Sequence, residues 1–464
     1  MQDLTTGSLT RHLLKTTSYM LVGMVFQTLY VLIDLYWVGR LGTDAVAAVT
    51  ISGNLAFIVL ALTQMLGVGT TTLVAHAAGR RDRERALLVF NQSQGLSMLI
   101  GALFFVVAMA VRIPYTQRLS ADAATGALAA EYLLWFIPAL ALQFALVAMG
   151  AALRGTGNFK PGMVIQTATI VINIVLAPFL IFGWGTGIAL GVAGAALSTL
   201  VAIVVGMVWL TLYFLPAESY LKFRKADVIP RPALWGEMLK IGLPAGAEFG
   251  LLTIYLVLVY AVSRPFGAAA QAGFGIGGRL LQACFLPVVA LGFAVSPVAG
   301  QNFGARQADR VRQTFKDAAA LASVAMLCFA ITAQFASAPV VRFFSTDSRA
   351  IAVGVEYLQI VAWNFVPSGI VFVSSSMFQA MGNTIPSLLT SSARIGLVAL
   401  PVLLLARRPD FQLVWVWYIS VASVIVQLVL NLLLLRREFR LRLNWGQTPS
   451  AERLNPLSQS VEGV

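Results

Sequence analysis

Two acidic residues, Asp34 and Glu248, lie inside long apolar stretches, where a carboxylate could hold a proton or a cation. Placing a charged carboxylate at membrane depth costs about 3 kcal/mol on insertion scales, so such groups usually face a water-filled cavity and bind ions. Two structural alternatives remain open. Asp34 could reach the membrane surface or pair with Arg40, and Glu248, which follows Pro244 by one helical turn, could pair with Arg279.

Other polar side chains in the apolar stretches could complete a site around Asp34. They are Gln27, Tyr30, Asn54, Gln64, Asn173 and Thr199 in the first half, and Gln282 in the second. A single Asn or Thr in a membrane helix most often hydrogen-bonds a neighbouring helix. As a set, however, these oxygens could bind a proton or Na⁺ beside the carboxylate.

The sequence offers little for other kinds of chemistry. Cys284 and Cys328 lie in apolar stretches and His12 and His76 at their edges, so neither a disulfide framework, a metal cluster nor Cys–His catalysis is expected. Gly67-Val68-Gly69 lies within an apolar helix with no strand before it, and is therefore not a nucleotide loop. We expect no cofactor, and any active transport would use an ion gradient.

The elements that carry these residues are predicted to be membrane helices. The chain is 58% hydrophobic and only 11% charged, whereas soluble domains are about 25% charged. Apolar runs of about 20 residues recur, each long enough to cross a bilayer as a helix, and the period-2 polarity of a barrel is absent. The predicted spans are 15–39, 45–70, 89–112, 128–153, 160–183, 188–215, 236–262, 272–300, 314–338, 354–380, 386–407 and 412–435.

The second half of the chain repeats the first at a constant separation of 225 residues, so that Tyr30 corresponds to Tyr255. Each half holds six spans, an even number, so both insert in the same direction and form parallel repeats around a central cavity. Asp34, however, corresponds to Val259, so the acids are not repeated. The predicted units are a first lobe at 1–215, a cytoplasmic linker at 216–235, a second lobe at 236–440 and a disordered cytoplasmic tail at 441–464.

The net charge of +13 is explained by topology rather than by nucleic-acid binding. Most lysines and arginines fall in the segments that lie on the same side as the N-terminus. The positive-inside rule therefore predicts that both termini are cytoplasmic in a multi-pass protein of the inner membrane. The first apolar run is too long for a signal peptide and is expected to stay in the mature protein.

Several motifs together resemble one known family. Ile33-Asp34-Leu35-Tyr36-Trp37-Val38-Gly39-Arg40-Leu41-Gly42, the run at 67–80, and Arg154-Gly155-Thr156-Gly157-Asn158 look like those of multidrug and toxic compound extrusion (MATE) transporters of the MOP flippase superfamily. The resemblance implies a V-shaped pair of six-helix lobes. It also implies a non-enzymatic multidrug antiporter, expected to be monomeric, that exchanges H⁺ or Na⁺ for organic, often cationic drugs.

The resemblance also assigns roles to residues. Asp34 matches the family's first-helix carboxylate, Asn173 the asparagine of its Asn-x-x-Leu-Asp-Pro segment, and Thr199 the threonine of the sixth span. The chain departs from the family at Ala177, which replaces that segment's acid, and at Tyr19, which replaces a first-helix proline. The resulting predictions are a coupling site at Asp34, Asn173, Thr199 and Glu248, with Na⁺ at the first three left open, and a substrate cavity lined by Gln27, Tyr30, Asn54, Gln64 and Gln282.

The favoured hypothesis is therefore a cation-coupled drug antiporter that works by alternating access. A lipid-linked saccharide flippase of the same superfamily would need an arginine-lined cavity, and only Arg279 and Arg394 lie in spans. An intramembrane enzyme would need a catalytic cluster at one membrane face, and His76 lacks partners for one. A passive channel is disfavoured because a deep acid in one half favours coupling.

Overall fold

A computed structural model describes residues 1–185, 187–216 and 218–445, and these residues form helices and loops without strands. Twelve helical segments among them are long and apolar enough to cross a membrane, because α10, a short 3₁₀ turn and α11 together make one such segment. The predicted all-α polytopic fold with twelve membrane helices is confirmed. The α-helices are α1 (Leu9–Gly39), α2 (Thr43–Gly79), α3 (Arg83–Leu119), α4 (Ala123–Gly155), α5 (Phe159–Phe182), α6 (Gly191–Phe214), α7 (Pro232–Ser263), α8 (Ala268–Gly304), α9 (Ala308–Phe344), α10 (Ser348–Val361), α11 (Phe365–Ala380), α12 (Ile385–Leu405) and α13 (Val414–Arg442).

Several helices are longer than the apolar runs that predicted them. With 37 residues, α2 is about 55 Å long, whereas the hydrocarbon core of a bilayer is about 30 Å thick. Polar caps make the extra turns stable: the Asp82 carboxylate accepts the backbone N–H of Arg85 at 2.9 Å where α3 begins. The final helix ends at Arg442, inside the predicted tail, and residues 446–464 of that tail lie outside the described residues.

The internal repeat extends to backbone conformation. Arg81 and Arg306, which correspond to each other, adopt left-handed φ angles of 60° and 58° in the loops after α2 and α8. Gly157 and Gly382 do the same, with φ of 76° and 73°, in the loops after α4 and α11. The duplicated sequence therefore builds duplicated turns, which give the helices of both halves the same connections.

The two halves meet at the end of the bundle that carries the chain's N-terminus, which we call the termini end. A side chain at Gly79 would collide with the backbone oxygen of Gln301, and one at Gly304 with that of His76. These four residues are two corresponding pairs, so the contact obeys the pseudo-twofold symmetry of the repeat. Glycine is required at both positions because the backbones of α2 and α8 touch there.

Hydrogen bonds between the halves follow the same symmetry. The His76 Nε2 atom lies 2.6 Å from the Ala380 carbonyl oxygen, and Gln301 Nε2 donates to the Gly155 carbonyl oxygen at 3.0 Å. In the part of the chain that the structure describes, every hydrogen bond and ion pair that joins residues 1–214 to α7–α13 lies in the half of the bundle at the termini end.

Residues 1–8, which we call the N-terminal strap, lie across this junction and contact both halves. The Gln2 amide donates to the Thr156 carbonyl oxygen of the first half at 2.9 Å. On the other side, the Leu4 amide donates to the Gln301 side chain at 3.0 Å, and Arg310 donates to the Gly7 carbonyl oxygen at 3.1 Å. The Leu4 side chain is fully buried. The strap therefore adds a third element to the junction between the halves.

Candidate functional site

Three helices of the first half bring Tyr30, Asn173 and Thr199 together, and we call these residues with Asp34 the Asp34 site. The Tyr30 hydroxyl of α1 lies 3.2 Å from the Thr199 hydroxyl of α6, and the Asn173 amide of α5 donates to the same hydroxyl at 3.1 Å. The Asn173 amide also lies 3.4 Å from the Ser198 hydroxyl. Asp34 follows Tyr30 by one helical turn, so both side chains occupy one face of α1.

The Asp34 carboxylate has an unsatisfied oxygen. Its Oδ1 atom is buried and has no hydrogen-bond partner among the described residues. Pairing with Arg40 does not occur, because the Arg40 guanidinium lies over the ring of Phe182, 5.9 Å from its centroid. A buried acceptor without a partner is costly. Binding of a proton or a small cation would remove that cost.

Two neighbours modify the site. Ala177 lies one turn beyond Asn173 on α5, at the position where the resembling family has a second carboxylate. Ala177 is buried, so its position is packed and not open to solvent. Tyr132 of α4 is also buried and lies near enough to Asp34 for an electrostatic interaction. The resulting site has one carboxylate among hydroxyl and amide groups, which limits the number of charged ligands available to Na⁺.

Glu248 of α7 has a different environment, which we call the Glu248 site. Its Oε1 atom accepts hydrogen bonds from the hydroxyls of Ser387 and Ser391, which are one turn apart on α12, the second at 3.2 Å. Gln427 of α13 donates to the Ser391 hydroxyl at 3.2 Å, and Ser375 of α11 lies 2.5 Å from the Ser387 hydroxyl. Glu248 makes no ion pair with Arg279 or with another base in the described ranges. The second half thus holds its acid in a hydroxyl network.

The two acids lie at different depths. In the repeat, Glu248 corresponds to Gly23, which precedes Asp34 by eleven positions on the first helix. This separation is about 16 Å along a helix axis. Asp34 is therefore close to the end of the bundle opposite the termini end, whereas Glu248 is near the middle.

The other residues predicted to line the substrate cavity take no part in these networks. Gln27, Asn54 and Gln282 have exposed side chains, and Gln64 is half-buried. In the portion of the chain described, none of the four side chains has a hydrogen bond to either acid. Gln27 lies on the same face of α1 as Asp34, about two turns away. Their contact with a substrate stays a prediction.

The arginines within the spans do not form the cluster that a pyrophosphate-binding cavity would need. The Arg394 guanidinium lies over the ring of Tyr255, 5.3 Å from its centroid, and Arg279 has an exposed side chain on α8. Arg154 lies between the halves, 5.8 Å from the ring centroid of Phe293. None of these arginines has an ion pair within 4.0 Å in the described ranges. The three arginines therefore lie apart from one another and form no shared binding site for a pyrophosphate.

Sequence reasoning missed the hydroxyl partners of the acids and the tyrosine near Asp34. One signal for Tyr132 was present, since Glu131-Tyr132-Leu133 recurs as Glu356-Tyr357-Leu358 in the repeat. No comparable signal marks Ser387 and Ser391, because serine is common in membrane helices and their distance from Glu248 along the chain exceeds 130 residues.

Outside the spans, two carboxylates of the described residues, Asp3 and Asp122, have a lowered pKa. The pKa of Asp3 in the N-terminal strap is lowered, first by the hydrogen bond that the Thr5 hydroxyl donates at 2.5 Å, and further by the Thr5 backbone N–H and by Arg81. Burial acts in the opposite direction and is outweighed. The strap therefore carries a charged carboxylate near neutral pH.

The fold and the sites define a class: a helical membrane protein with two corresponding halves, each of which holds a partly buried acid. The sequence profile of the MatE family matches residues 20–179 and 244–405, more than half of the chain. The chain belongs to the MatE family, and it is a transporter rather than an enzyme.

Individual relatives agree with this assignment. The chain is 26% identical over 416 residues to a probable multidrug resistance protein, YoeA, of Bacillus subtilis, covering 89% of this chain and 90% of the relative. It is 25% identical over 391 residues to the FAD transporter of Shewanella oneidensis, covering 84% and 86%. A solved structure described as the outward-facing conformation of a multidrug resistance MATE family transporter shares its fold, with a TM-score of 0.86, 24% identity and coverage of 95% and 98%.

Proposed function

We propose that this protein exports hydrophobic organic cations from the cytoplasm in exchange for H⁺ or Na⁺, and that drug and ion compete for Asp34. The observation that carries the proposal is the buried, unpartnered Oδ1 atom of Asp34 beside Tyr30, Asn173 and Thr199. Either a bound cationic drug or a bound proton would satisfy this oxygen, but the two cannot bind it at the same time. Relatives named as multidrug resistance and export proteins support drugs as the substrates.

The orientation follows from charge. Most basic residues of the loops lie at the termini end, and the positive-inside rule assigns that end to the cytoplasm of a cell whose inner membrane holds the protein. Asp34 then lies toward the outside, where the inward-driven ion is supplied. Glu248, deeper in the second half, is proposed as a second site for the coupling ion, since its two serine hydroxyls and its carboxylate offer oxygen ligands.

Alternating access requires the contacts of the termini end to break. The glycine contacts, the His76 and Gln301 hydrogen bonds and the N-terminal strap all close this end. From this closure we infer a state of the cycle in which the site would be reached from the outside. Ion binding at Asp34 would release the drug outward. Because each ligand must favour one of the two states for exchange to occur, competition at one carboxylate provides the required difference in affinity.

Efflux from vesicles with imposed gradients tests the proposal. Export of a fluorescent organic cation is measured under a pH gradient alone and under a Na⁺ gradient alone, for the native chain and for Asp34→Asn. We expect the native chain to respond to one gradient and Asp34→Asn to lose that response. Asp410→Asn, which alters an exposed acid in the loop before α13, is the matched control and should behave as the native chain. Gradient-driven export by Asp34→Asn equal to that of the native chain would refute the role of Asp34.

One observation favours a second candidate substrate, an anionic nucleotide cofactor. Arg154 lies between the halves without a carboxylate partner among the described residues, and one relative is named as an FAD transporter. The same vesicles loaded with FAD distinguish the two. Export of FAD that is lost in Arg154→Gln would favour the anionic substrate. The separate positions of Arg279 and Arg394 give no comparable support to a flippase for lipid-linked saccharides.

A further inference from the structure

A charged side chain in the middle of the second half belongs to neither of the two acid sites described above. Arg394 of α12 holds its guanidinium over the ring of Tyr255 on α7, 5.3 Å from the ring centroid. Tyr357 of α10 is buried and lies near enough to Arg394 for an electrostatic interaction. The Tyr255 hydroxyl lies 3.1 Å from the hydroxyl of Ser420 on α13. We call these four residues the Arg394 site.

The Arg394 site repeats the surroundings of the Asp34 site with the opposite charge. Its two tyrosines correspond in the repeat to Tyr30 and Tyr132, which lie beside Asp34 in the first half. In each half, the first of the two tyrosines also lies within hydrogen-bonding distance of a hydroxyl of the last helix. The two halves therefore place one charge, negative in the first and positive in the second, among corresponding aromatic and hydroxyl groups.

The positive charge of Arg394 is not neutralised within the described ranges. Its Nε atom is buried and has no hydrogen-bond partner, and the guanidinium makes no ion pair within 4.0 Å. The ring of Tyr255 attracts the charge, but it offers no oxygen to the N–H groups. Glu248, the acid of α7, accepts hydrogen bonds from Ser387 and Ser391 instead. A charged donor without an acceptor is costly, so the site favours a ligand that supplies one.

Arg394 lies near the middle of the membrane. With 21 residues, α12 is about 32 Å long, which matches a hydrocarbon core of about 30 Å. Arg394 is about 14 Å from the start of this helix at Ile385 and about 16 Å from its end at Leu405. The guanidinium lies beside Tyr255, which is itself about 12 Å from the end of α7 at Ser263. A charge at this depth usually has a partner of opposite charge or marks an ion or substrate pathway.

We propose that the Arg394 site binds one small monovalent anion, either a halide ion or a carboxylate group. Arg394 supplies the positive charge and the N–H donors. The hydroxyls of Tyr255 and Ser420 hold two protons and share one of them between their oxygens, so the pair has one O–H left to donate to the anion. A single negative charge neutralises the single guanidinium, which favours a monovalent anion over a phosphate dianion. This binding does not depend on the exchange proposed above.

Binding of radiolabelled chloride to the purified full chain in detergent tests the site. Chloride is titrated at constant ionic strength and Na⁺ concentration, with a bulky sulfonate as the balancing anion, and formate is then added as a competitor. We expect one saturable chloride site per chain, and the relative affinities of chloride and formate show whether a halide or a carboxylate fits it better. Arg394→Gln should weaken chloride binding at least about tenfold, since it removes hydrogen bonds from a charged donor. Tyr255→Phe keeps the ring but removes the hydroxyl, and should weaken binding about fivefold.

Matched variants keep the test decisive. Arg279→Gln changes an exposed arginine of α8, and Tyr418→Phe removes the hydroxyl of an exposed tyrosine of α13. Both should bind chloride as the native chain does, and thermal unfolding checks that all variants are folded. The proposal is overturned if the native chain shows no saturable chloride binding, if Arg394→Gln and Tyr255→Phe bind chloride as the native chain does, or if the controls lose as much. Chloride binding by Glu248→Gln but not by the native chain would also overturn it, because Arg394 would then be the partner of Glu248.

Discussion

Truncation of Leu4 in the N-terminal strap is expected to favour opening of the termini end. The side chain is fully buried, with core residues of the second half on one side and Gly157 of the first half on the other. Leu→Ala at a buried site costs about 2–5 kcal/mol. When the halves separate, Leu4 can keep its contacts with the second half and loses only those with the first. We therefore expect Leu4→Ala to destabilise the closed state relative to the open state by about half of the lower value, about 1 kcal/mol. This shifts the equilibrium between closed and open states about fivefold.

Double electron–electron resonance, which measures the distance between two spin labels, tests this shift in the equilibrium between closed and open states. Labels are attached at Lys160→Cys and Asp309→Cys, two exposed positions on opposite halves at the termini end, after Cys284 and Cys328 are replaced. We expect Leu4→Ala to enlarge the population with the longer distance about fivefold.

The matched control for this measurement is Leu14→Ala, which truncates a leucine of α1 that is 53% exposed and should leave the distribution unchanged. An unchanged distribution in Leu4→Ala, or an equal change in both variants, would refute the inference that the strap holds this end closed.

Three further predictions concern other parts of the molecule. Ser391→Ala removes one hydrogen bond to Glu248, worth about 1.5–3 kcal/mol for a charged acceptor, and should change the ion concentration for half-maximal transport at least about tenfold. Gly304→Ala places a methyl group against the backbone of α2 and should destabilise the closed state by about 1–3 kcal/mol, measured as thermal unfolding. The pKa of Asp3 is lower in the folded protein than in the unfolded chain, so Asp3 stabilises the fold above the ordinary carboxyl pKa of about 4. This stabilisation is lost as the pH falls through the lowered pKa of the folded state. Thr5→Val should reduce the loss of stability at acid pH, because it removes the hydrogen bond that lowers the pKa.

Two of these predictions have a control variant in the same chain, and the third is tested against the native chain. Ser93→Ala removes a hydroxyl of α3 that bonds its own helix, and should leave ion dependence unchanged. Gly236→Ala adds a methyl group to α7 where nothing lies within 4 Å, so it should be neutral or stabilising. A pH titration of stability that is identical for Thr5→Val and the native chain would show that Asp3 is not held by this hydrogen bond.

The membrane helices were predictable because the bilayer leaves few alternatives. A run such as 188–215 contains no charge, and a backbone in hydrocarbon must satisfy its own hydrogen bonds, so a helix follows from composition alone. The ends were less predictable. Helices such as α2 continue for several turns past the apolar run because caps and contacts between the halves, rather than hydrophobicity, decide where they stop.

The candidate sites were predictable only in part. Asp34 and Glu248 were found because acids are rare and costly in membrane spans. Their surroundings were not predictable from the same reasoning. The pairing of Glu248 with Arg279, which was one alternative, does not occur, because two serines of α12 hydrogen-bond to Glu248 instead. The contacts of residues 1–8 had no signal in the sequence, since a short polar segment before the first helix is common to many membrane proteins.

By itself the sequence determined twelve spans, their duplication and the two acids that the duplication does not share, because these depend on the local cost of placing residues in a bilayer. Only the tertiary structure decided which groups meet. Tyr30 and Thr199 are 169 residues apart, and Leu4 and Gln301 are 297 apart, yet both pairs are in hydrogen-bonding distance. Such contacts depend on how the helices pack against one another and not on the composition of any one helix. At Gly79 and Gly304, for example, the helices approach so closely that a single methyl group would not fit.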